Sequence, residues 1–348
     1  MMKVMTIEQA LNKEKVLFID VRSQSEFEDG TIKGAINIPI LDDEERALVG
    51  TIYKKESVDK ATTEGLKYAS SKLAKIYEKI KEYASIYDEI VIFCWRGGMR
   101  SSSLCTIINM LKVENVYKLE DGYKSYRSYT MNFFKNCMDD YKFIMIHGLT
   151  GVGKTHILEK LKDAGKSILN LEEIANNSGS VFGNIVFNGI TPSQKMFETY
   201  IFHSLYDSKE KYIFVESESK RVGHVQIPNE VYEKILSGYH ILTNTTIQKR
   251  VDIILKDYIK EELNQISKIK ESINHLRKRL GHKEVDLLLE KIDHKEYRYV
   301  VEYLINKYYD PLYKHSISKY EPYDLIVNYE CMDEAVMNMV VFLDNIQQ

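Results

Sequence analysis

The N-terminal third of the chain alternates short apolar runs with stretches in which apolar residues recur at helical spacing. Four runs have the length and composition of buried strands: Val16–Asp20, Ala35–Ile38, Glu89–Phe93 and Val116–Leu119. Between them, Thr62–Tyr83 places Leu66, Ile76 and Ile80 on one face of a predicted helix, and Ser101–Leu111 predicts another helix. Strands that alternate with helices predict a mostly parallel sheet.

A second alternating pattern begins after a helical stretch that ends near Asp140. Its predicted strands and helices are Phe143–Ile146, Thr155–Ala164, Ser167–Leu171, Ser193–Tyr206, Tyr212–Glu216 and His240–Thr243. From Val251 to Tyr309 the spacing is mostly helical. We therefore predict an α/β fold in two domains, residues 1–135 and residues 140–348, the second with a helical extension.

The composition narrows the class of protein. No apolar run among the 348 residues approaches the length of about 20 residues that a membrane-spanning helix needs. The segment Met1–Ala10 does not have the pattern of a signal peptide. The four cysteines are scattered and form no CxxC pair, which argues against disulfides and zinc sites. We therefore expect a cytoplasmic protein that binds no membrane. A formal net charge of −3 excludes a globally basic nucleic-acid binder but leaves a local basic face open.

A cysteine follows the third predicted strand, in the string CWRGGMRS that begins at Cys94. A predicted helix starts directly afterwards, so its backbone N–H groups and dipole would stabilise a thiolate and make it a nucleophile. Gly97 and Gly98 would let the backbone form a cradle, and Arg96 and Arg100 would add positive charge. The alternative is a buried structural cysteine.

The residues before this loop resemble the opening of a rhodanese domain. They are the segments Asp20–Ser23, Glu26–Phe27 and Gly34–Pro39, and the resemblance spans roughly residues 5–130. In that family the cysteine carries a transferable sulfur or selenium atom, and the resemblance implies that Asp20 and Arg22 mainly support the fold. The Cys-x5-Arg spacing also occurs in phosphatases of the same fold, so a phosphatase stays open as an alternative.

The segment Gly148–Thr155 matches the phosphate-binding pattern G-x4-G-K-[ST]. A predicted strand precedes it and an amphipathic helix follows, which is the context that the pattern requires. Gly148, Gly151 and Gly153 would let backbone N–H groups close on phosphate oxygens. Lys154 would neutralise a phosphate, and Thr155 would hold Mg²⁺. The strand Tyr212–Glu216 ends beside this loop in such folds, so Glu216 or Glu218 would contact the metal ion or water.

The two loops occur together with other recognisable strings in one chain. In order, these are Glu44–Tyr53, Cys94–Ser101, Gly148–Thr155, Glu216–Gly223 and Tyr308–Tyr313. Together they resemble the tRNA 2-selenouridine synthase family, and the resemblance covers nearly the whole chain. That family replaces the sulfur of wobble 2-thiouridine in tRNA with selenium from selenophosphate, by way of a geranylated intermediate made from geranyl diphosphate.

The resemblance implies roles for the two loops. Lys154 would stabilise the diphosphate that leaves when the thiouridine is alkylated, because a phosphate loop recognises phosphate and not the base. Cys94 would act in the selenium step, either as a perselenide carrier or as the group that handles the departing thiol. The implied partners are tRNA and an enzyme that supplies selenophosphate, with no tightly bound cofactor; the oligomeric state and the choice of tRNAs stay open.

One segment departs from the family. The resemblance leads us to expect His and Arg where this chain has Asn177 and Ser178, whereas the following Gly179 and Ser180 match. A substrate loop and a plain surface loop are both compatible with this segment.

Contact with tRNA would involve basic residues of the helical extension and the single tryptophan. The basic residues are Lys249, Arg250, Lys256, Lys260, Lys268, Lys270, Arg277, Lys278, Arg279 and Lys283, with acidic residues interleaved. Trp95 would stack on a flipped base or form a wall of the cysteine loop. Other function classes remain: a sulfurtransferase or Cys-x5-Arg phosphatase with a nucleotide-binding domain, or a small-molecule kinase with an inactive rhodanese module.

Overall fold

The computed structural model describes residues 2–177, 191–258 and 263–347. The chain divides into two compact units, Met1–Lys135 with Glu198–Tyr200, and Asn136–Phe197 with Ile201–Gln348. Gly179 and Ser180, proposed as part of a substrate loop, lie outside the described residues, as does Lys260.

The first unit is built on a parallel sheet of five strands in the order β1-β5-β4-β2-β3. The strands are β1 Lys3–Met5, β2 Val16–Asp20, β3 Ile36–Asn37, β4 Glu89–Phe93 and β5 Val116–Leu119. The helices are α1 Ile7–Leu11, α2 Gln24–Asp29, α3 Asp43–Lys55, α4 Val58–Ala84, α5 Met99–Met110 and α6 Gly122–Asn136. Parallel strands joined through helices confirm the α/β prediction for this part of the chain.

The long helix α4 follows the predicted face only in part. Ile76 and Ile80 are buried in the core beneath the sheet, but Leu66 is 65% exposed, so its predicted place on the buried face is wrong. The helix begins four residues earlier than predicted, because the Ser57 side chain accepts the Lys60 N–H and caps its first turn. The preceding helix α3, capped by Asp42, is absent from the predicted elements.

The second unit holds a parallel sheet in the order β12-β11-β6-β8-β7. Its strands are β6 Lys142–His147, β7 Ile168–Leu169, β8 Tyr212–Glu216, β11 Tyr239–Asn244 and β12 Leu325–Asn328, and β9 Arg221–Val222 pairs separately with β10 Val225–Gln226. Helices near the sheet are α7 Lys154–Asp163, α8 Leu171–Ile174, α9 Gln194–Tyr206, α10 Asn229–Leu236 and α17 Met332–Gln347. The phosphate-binding pattern therefore follows the central strand, β6.

The helical extension lies between β11 and β12. Its helices are α11 Ile247–Tyr258, α12 Leu263–Asn274, α13 Arg277–Leu280, α14 His282–Asp293, α15 Tyr297–Leu304 and α16 Asp310–Ser318, with a π-helical segment Ile305–Tyr309 between the last two. They pack around two apolar clusters, one centred on Ile273, Leu288 and Leu304, the other on Ile254 and Ile305. The predicted helical stretch is confirmed, whereas β12 and α17 are not among the predicted elements. None of the described helices is long and apolar enough to cross a membrane.

Candidate functional site

Cys94 lies at the carboxyl end of β4, where the chain turns into α5. The side chain is buried, with 3% of its surface exposed, and its Sγ lies 3.2 Å from the Ser101 Oγ. Ser101 belongs to the first turn of α5 and is itself fully buried. The loop therefore holds the thiol beside a hydroxyl at a helix N-terminus, an arrangement that suits a sulfur nucleophile.

The two glycines of this loop are not equivalent. Gly97 has a φ of +59°, and a Cβ there would lie 2.9 Å from the Leu119 carbonyl oxygen, so both conformation and space require glycine. Gly98 has an ordinary φ of −83° and open space around it. Our expectation that both glycines shape the cradle therefore applies to Gly97, because nothing near Gly98 excludes a side chain.

The Arg100 guanidinium does not stand free beside the thiol. Its Nη1 donates to Glu26 Oε2 at 2.7 Å and its Nη2 to Glu26 Oε1 at 3.3 Å. Burial alone would raise the pKa of Glu26, but the hydrogen bonds and charge of Arg100 hold that pKa below its ordinary value. The positive charge predicted for Arg100 is therefore largely compensated, and the exposed Arg96 is the loop's other cation.

Trp95 lies on the rim of the cysteine loop, 37% exposed, with its ring 5.6 Å from that of Tyr123. Beneath it, the Arg22 guanidinium lies 4.2 Å from the Tyr123 ring centre and donates to Asp20 at 2.6 Å. Asp20 and Arg22 are both buried, and Thr31 Oγ1 donates to the same carboxylate. These contacts agree with a fold-supporting role for the acidic and basic pair and leave part of the tryptophan ring accessible.

The phosphate loop joins β6 to α7. Gly151 has a φ of +82°, and a Cβ there would lie 2.7 Å from Ile254 Cδ1 and 3.0 Å from the Arg250 carbonyl oxygen. Gly153 is left-handed, with a φ of 70°, at the start of the helix, and Gly148 also packs too closely for a side chain. Lys154 and Thr155 open α7, so the predicted loop adopts the strand–loop–helix geometry that its residues imply.

Arg250 connects the phosphate loop to the helical extension through buried hydrogen bonds. Its Nε donates to the Thr150 carbonyl oxygen at 2.8 Å, and its two terminal nitrogens donate to the Asp310 carboxylate at 2.5 and 3.0 Å. Arg250 is 5% exposed. Its predicted place among tRNA-contacting residues is therefore wrong, because its donors are consumed inside the protein. The pair links α11 and α16 to the phosphate loop.

Three glutamates meet beside Thr155, and the sequence reasoning named only two of them. Thr155 Oγ1 donates to Glu172 Oε2 at 3.2 Å, and the Glu172 backbone N–H donates to Glu216 Oε1 at 2.7 Å. Burial, and next the charge of Glu172, raise the pKa of Glu216 to about 8 and that of Glu218 well above its ordinary value. Glu172 lies in α8, three residues after β7 ends, so the strand-end rule that selected Glu216 at the end of β8 points only to its neighbourhood.

The donor set fits a cation that arrives with its substrate. Within residues 2–177, 191–258 and 263–347, no group of three or more His, Cys, Asp or Glu side chains is arranged to hold a metal ion. Mg²⁺ commonly uses one or two protein oxygens and completes its shell with substrate phosphates and water. Thr155 and Glu172 supply such oxygens, so the predicted magnesium role of Thr155 is compatible with this geometry.

The phosphate loop forms one side of a cavity of about 100 Å³ that opens to solvent. The polar side consists of the loop itself with Glu172 and Glu218, and Glu216 does not reach the cavity. At its edge His156 Nε2 lies 3.2 Å from Asp257 Oδ1, a hydrogen bond that raises the pKa of the imidazole. The apolar part of the lining comes from the helical extension: Ile253, Ile254, Val301, Leu304, Ile305, Tyr309 and Tyr313.

Some of the basic residues proposed for tRNA contact are engaged by other side chains. Arg277 pairs with Asp286 at 2.6 Å, Lys270 pairs with Asp293, and Arg279 donates to the Tyr308 hydroxyl at 3.2 Å. The remaining exposed cations of the described set are Lys256, Lys268, Lys278 and Lys283. The mixed-charge surface therefore resembles a solvated helix face more than a continuous basic patch.

Comparison with known proteins matches both units. Residues 141–340 match the family model described as the tRNA 2-selenouridine synthase AAA domain, and residues 5–129 match the rhodanese-like domain. These matches confirm the predicted order, a rhodanese-like domain followed by a phosphate-loop domain. They also confirm the resemblance that the local strings indicated.

Two relatives named tRNA 2-selenouridine synthase and one solved structure are similar to parts of this chain. A tRNA 2-selenouridine synthase of Nitrosomonas eutropha is 31% identical over 69% of this chain, which spans 62% of that relative's length. The enzyme of the same name from Sulfurovum sp. is 28% identical over 78% of each chain. A crystal structure of the N-terminal domain of a Clostridium difficile 630 protein is 46% identical, covers 37% of this chain and 99% of its own, and has a TM-score of 0.36.

Proposed function

Because the chain belongs to the tRNA 2-selenouridine synthase family, we propose that it replaces the sulfur of wobble 2-thiouridine in tRNA with selenium from selenophosphate. The proposal includes a first step in which geranyl diphosphate alkylates the sulfur. Two relatives that carry the family name align with most of this chain, which supports the overall reaction.

One observation carries the alkylation step: the phosphate loop and an apolar wall face the same cavity. A diphosphate ester of an isoprenoid alcohol has a charged end and a hydrocarbon end, and these match the two sides. A nucleotide would instead place its polar ribose and base beside Ile253, Leu304 and Ile305, whose side chains offer no hydrogen bonds. The geometry therefore favours an allylic diphosphate.

The alkylation separates into defined bond changes. The thiocarbonyl sulfur forms a bond to C1 of the geranyl group, the C1–O bond breaks, and the diphosphate leaves with the electron pair. The uridine N3–H proton passes to solvent or to a basic group. Lys154 and the N–H groups of the phosphate loop stabilise the charge on the departing diphosphate. Mg²⁺ bound with Thr155 and Glu172 would supply further neutralising charge when present.

Alkylation makes the sulfur a better leaving group, which prepares the selenium step. The selenium of selenophosphate forms a bond to C2 of the base, and the C2–S bond breaks so that the sulfur departs as a geranyl thiol. Water then adds to phosphorus, the Se–P bond breaks, and the phosphoryl group leaves as phosphate. Cys94, buried beside Ser101 at the start of α5, is the nucleophilic group of the rhodanese-like unit. It would handle the departing thiol, because carrying selenium as a perselenide would need a two-electron oxidant that selenophosphate, with its selenium at the selenide level, does not supply. We place the reaction in the cytoplasm, with an enzyme that supplies selenophosphate as a partner.

The test is nucleoside mass spectrometry on tRNA that contains 2-thiouridine. The purified protein is incubated with geranyl diphosphate alone, with selenophosphate alone and with both. We expect geranylated thiouridine in the first reaction and 2-selenouridine in the third. A tRNA that is unchanged in all three reactions would reject the proposal. The alternatives would then be a phosphatase, tested with a chromogenic phosphate ester, and a sulfurtransferase, tested with thiosulfate as sulfur donor.

A further inference from the structure

The apolar residues that line the cavity differ in how much of their surface is exposed to solvent. Tyr313 at the mouth is 36% exposed, Tyr309 is 5% exposed, and Leu304 and Ile305 are 2% and 0% exposed. Ile253 and Ile254 approach the phosphate loop itself, since their Cδ1 atoms would touch a Cβ added at Gly153 and Gly151. A hydrocarbon chain that starts at the loop therefore passes from these isoleucines toward a buried floor.

The floor lies where the helix geometry changes. Leu304 ends α15, and Ile305 and Tyr309 begin and end the π-helical segment before α16. Such segments are rare and often occur at functional sites. The Asp310–Arg250 pair fixes the end of this segment to the phosphate loop. The end of the segment that carries Ile305 is therefore connected to the phosphate loop through Arg250.

We propose that Leu304 and Ile305 form the floor that limits the length of the isoprenoid tail, so that these two side chains select among allylic diphosphates. The inference rests on the proposed function for its substrate class and adds the residues that set chain length. Packed protein interiors do not yield to an extra isoprene unit without repacking. A shorter tail would not contact Leu304 and Ile305, and a longer tail would clash with them.

Binding of a series of diphosphates tests this floor directly. Isothermal titration would compare inorganic pyrophosphate with dimethylallyl, geranyl and farnesyl diphosphate, which carry zero, one, two and three isoprene units. We expect wild-type protein to bind geranyl diphosphate at least about tenfold more tightly than the other three, since even one methylene in a fitted apolar pocket is worth that factor. Leu304→Ala should shift the preference toward farnesyl diphosphate by about tenfold or more.

The matched control is Leu288→Ala. Leu288 is fully buried in the same apolar cluster as Leu304 but does not line the cavity. Both substitutions should lower stability similarly, and only the one at Leu304 should change the ratio of farnesyl to geranyl affinity. Leu304→Val, a smaller change, provides the same comparison if the alanine variant does not fold.

Two outcomes would overturn the inference. In one, the tails add no affinity over inorganic pyrophosphate; in the other, Leu304→Ala and Leu288→Ala show the same chain-length ratio as wild type. Failure of the proposed function is a separate result. It would be seen as tight, length-dependent binding of these diphosphates without any alkylation of thiouridine in tRNA.

Discussion

The cysteine loop and the phosphate loop are built on the same plan but have different surroundings. Each follows the end of a parallel strand, opens a helix and contains a glycine with positive φ, Gly97 in one and Gly151 in the other. In the cysteine loop the thiol is buried and the nearby Arg100 is paired with Glu26. The loop is closed around its reactive atom.

The phosphate loop is open on the side where a ligand would enter. Lys154 and Thr155 line the cavity, while the buried Arg250 and Asp310 support the loop from the opposite side. The strand–loop–helix unit therefore determines where backbone N–H groups converge, and the covering elements determine what chemistry is done there. If each loop serves one step, substitutions should separate the two steps.

The largest expected effect is at the cysteine loop. Cys94→Ser should reduce formation of 2-selenouridine by roughly a thousandfold or more, because removing a nucleophile has effects of this size. Geranylated thiouridine should still form and accumulate. Cys105→Ser is the control, since Cys105 is also buried but burial raises its pKa to about 11, which makes it a poor nucleophile. Nucleoside mass spectrometry measures both products, and loss of both from Cys94→Ser would contradict the division.

The next effect is at the phosphate loop. Lys154→Ala should reduce geranylation by about 100-fold to 1,000-fold, since the lysine stabilises charge that develops on the leaving diphosphate. The control is Lys160→Ala on the same helix, where the lysine forms an exposed ion pair with Asp333. With pre-geranylated tRNA as substrate, Lys154→Ala should again form selenouridine at the wild-type rate. A defect that persists on this substrate would mean that one loop serves both steps.

The sequence predicts these two loops well because each is a local pattern. Strand ends, glycines and the residues that open the next helix are close together along the chain, and the strands β2, β4, β5 and β8 have the predicted bounds. Local patterns do not reveal what covers a loop. The Glu26–Arg100 pair joins residues 74 apart, and Arg250 reaches Thr150 across 100 positions.

The elements that the sequence reasoning missed have the same physical origin. The strand β12 has only four residues, and its pattern becomes meaningful only when it pairs with β11. Glu172 is one of two adjacent acids shortly after β7, and only its place in α8 brings it beside Thr155. For the apolar wall of the cavity the sequence predicts only a helical stretch, because helical spacing alone cannot show that Leu304 and Ile305 line a cavity. Only the packing of α11 against α15 and the π-helical segment reveals it.

A moderate effect is expected behind the phosphate loop. Arg250→Met should lower the free energy of unfolding by about 3 kcal/mol, because it leaves the nearly buried Asp310 carboxylate without its partner. The affinity for pyrophosphate should fall by about tenfold, because the Thr150 carbonyl oxygen loses its hydrogen bond from Arg250. The comparison is Arg298→Met, which breaks an ion pair with Asp252 whose members are both 58% exposed, and should cost less than about 1 kcal/mol. Urea unfolding and titration calorimetry distinguish the two, and equal losses would argue against this supporting role of Arg250.

The smallest effect concerns pH. His147 precedes the phosphate loop, is 1% exposed and lies 2.9 Å from His240, and burial, then His240 and Lys154, lower its pKa to about 3. Between pH 6.5 and 3 the unfolded chain binds a proton that the folded protein does not, so this histidine reduces stability as the pH falls. His147→Gln should flatten the dependence of the unfolding free energy on pH by up to about 1.4 kcal/mol per pH unit. Urea titrations at pH 6.5 and 5 measure this slope. The control is His294→Gln, a substitution at an exposed position that should leave the slope unchanged. An equal slope in the wild type and both variants would exclude His147 as its source.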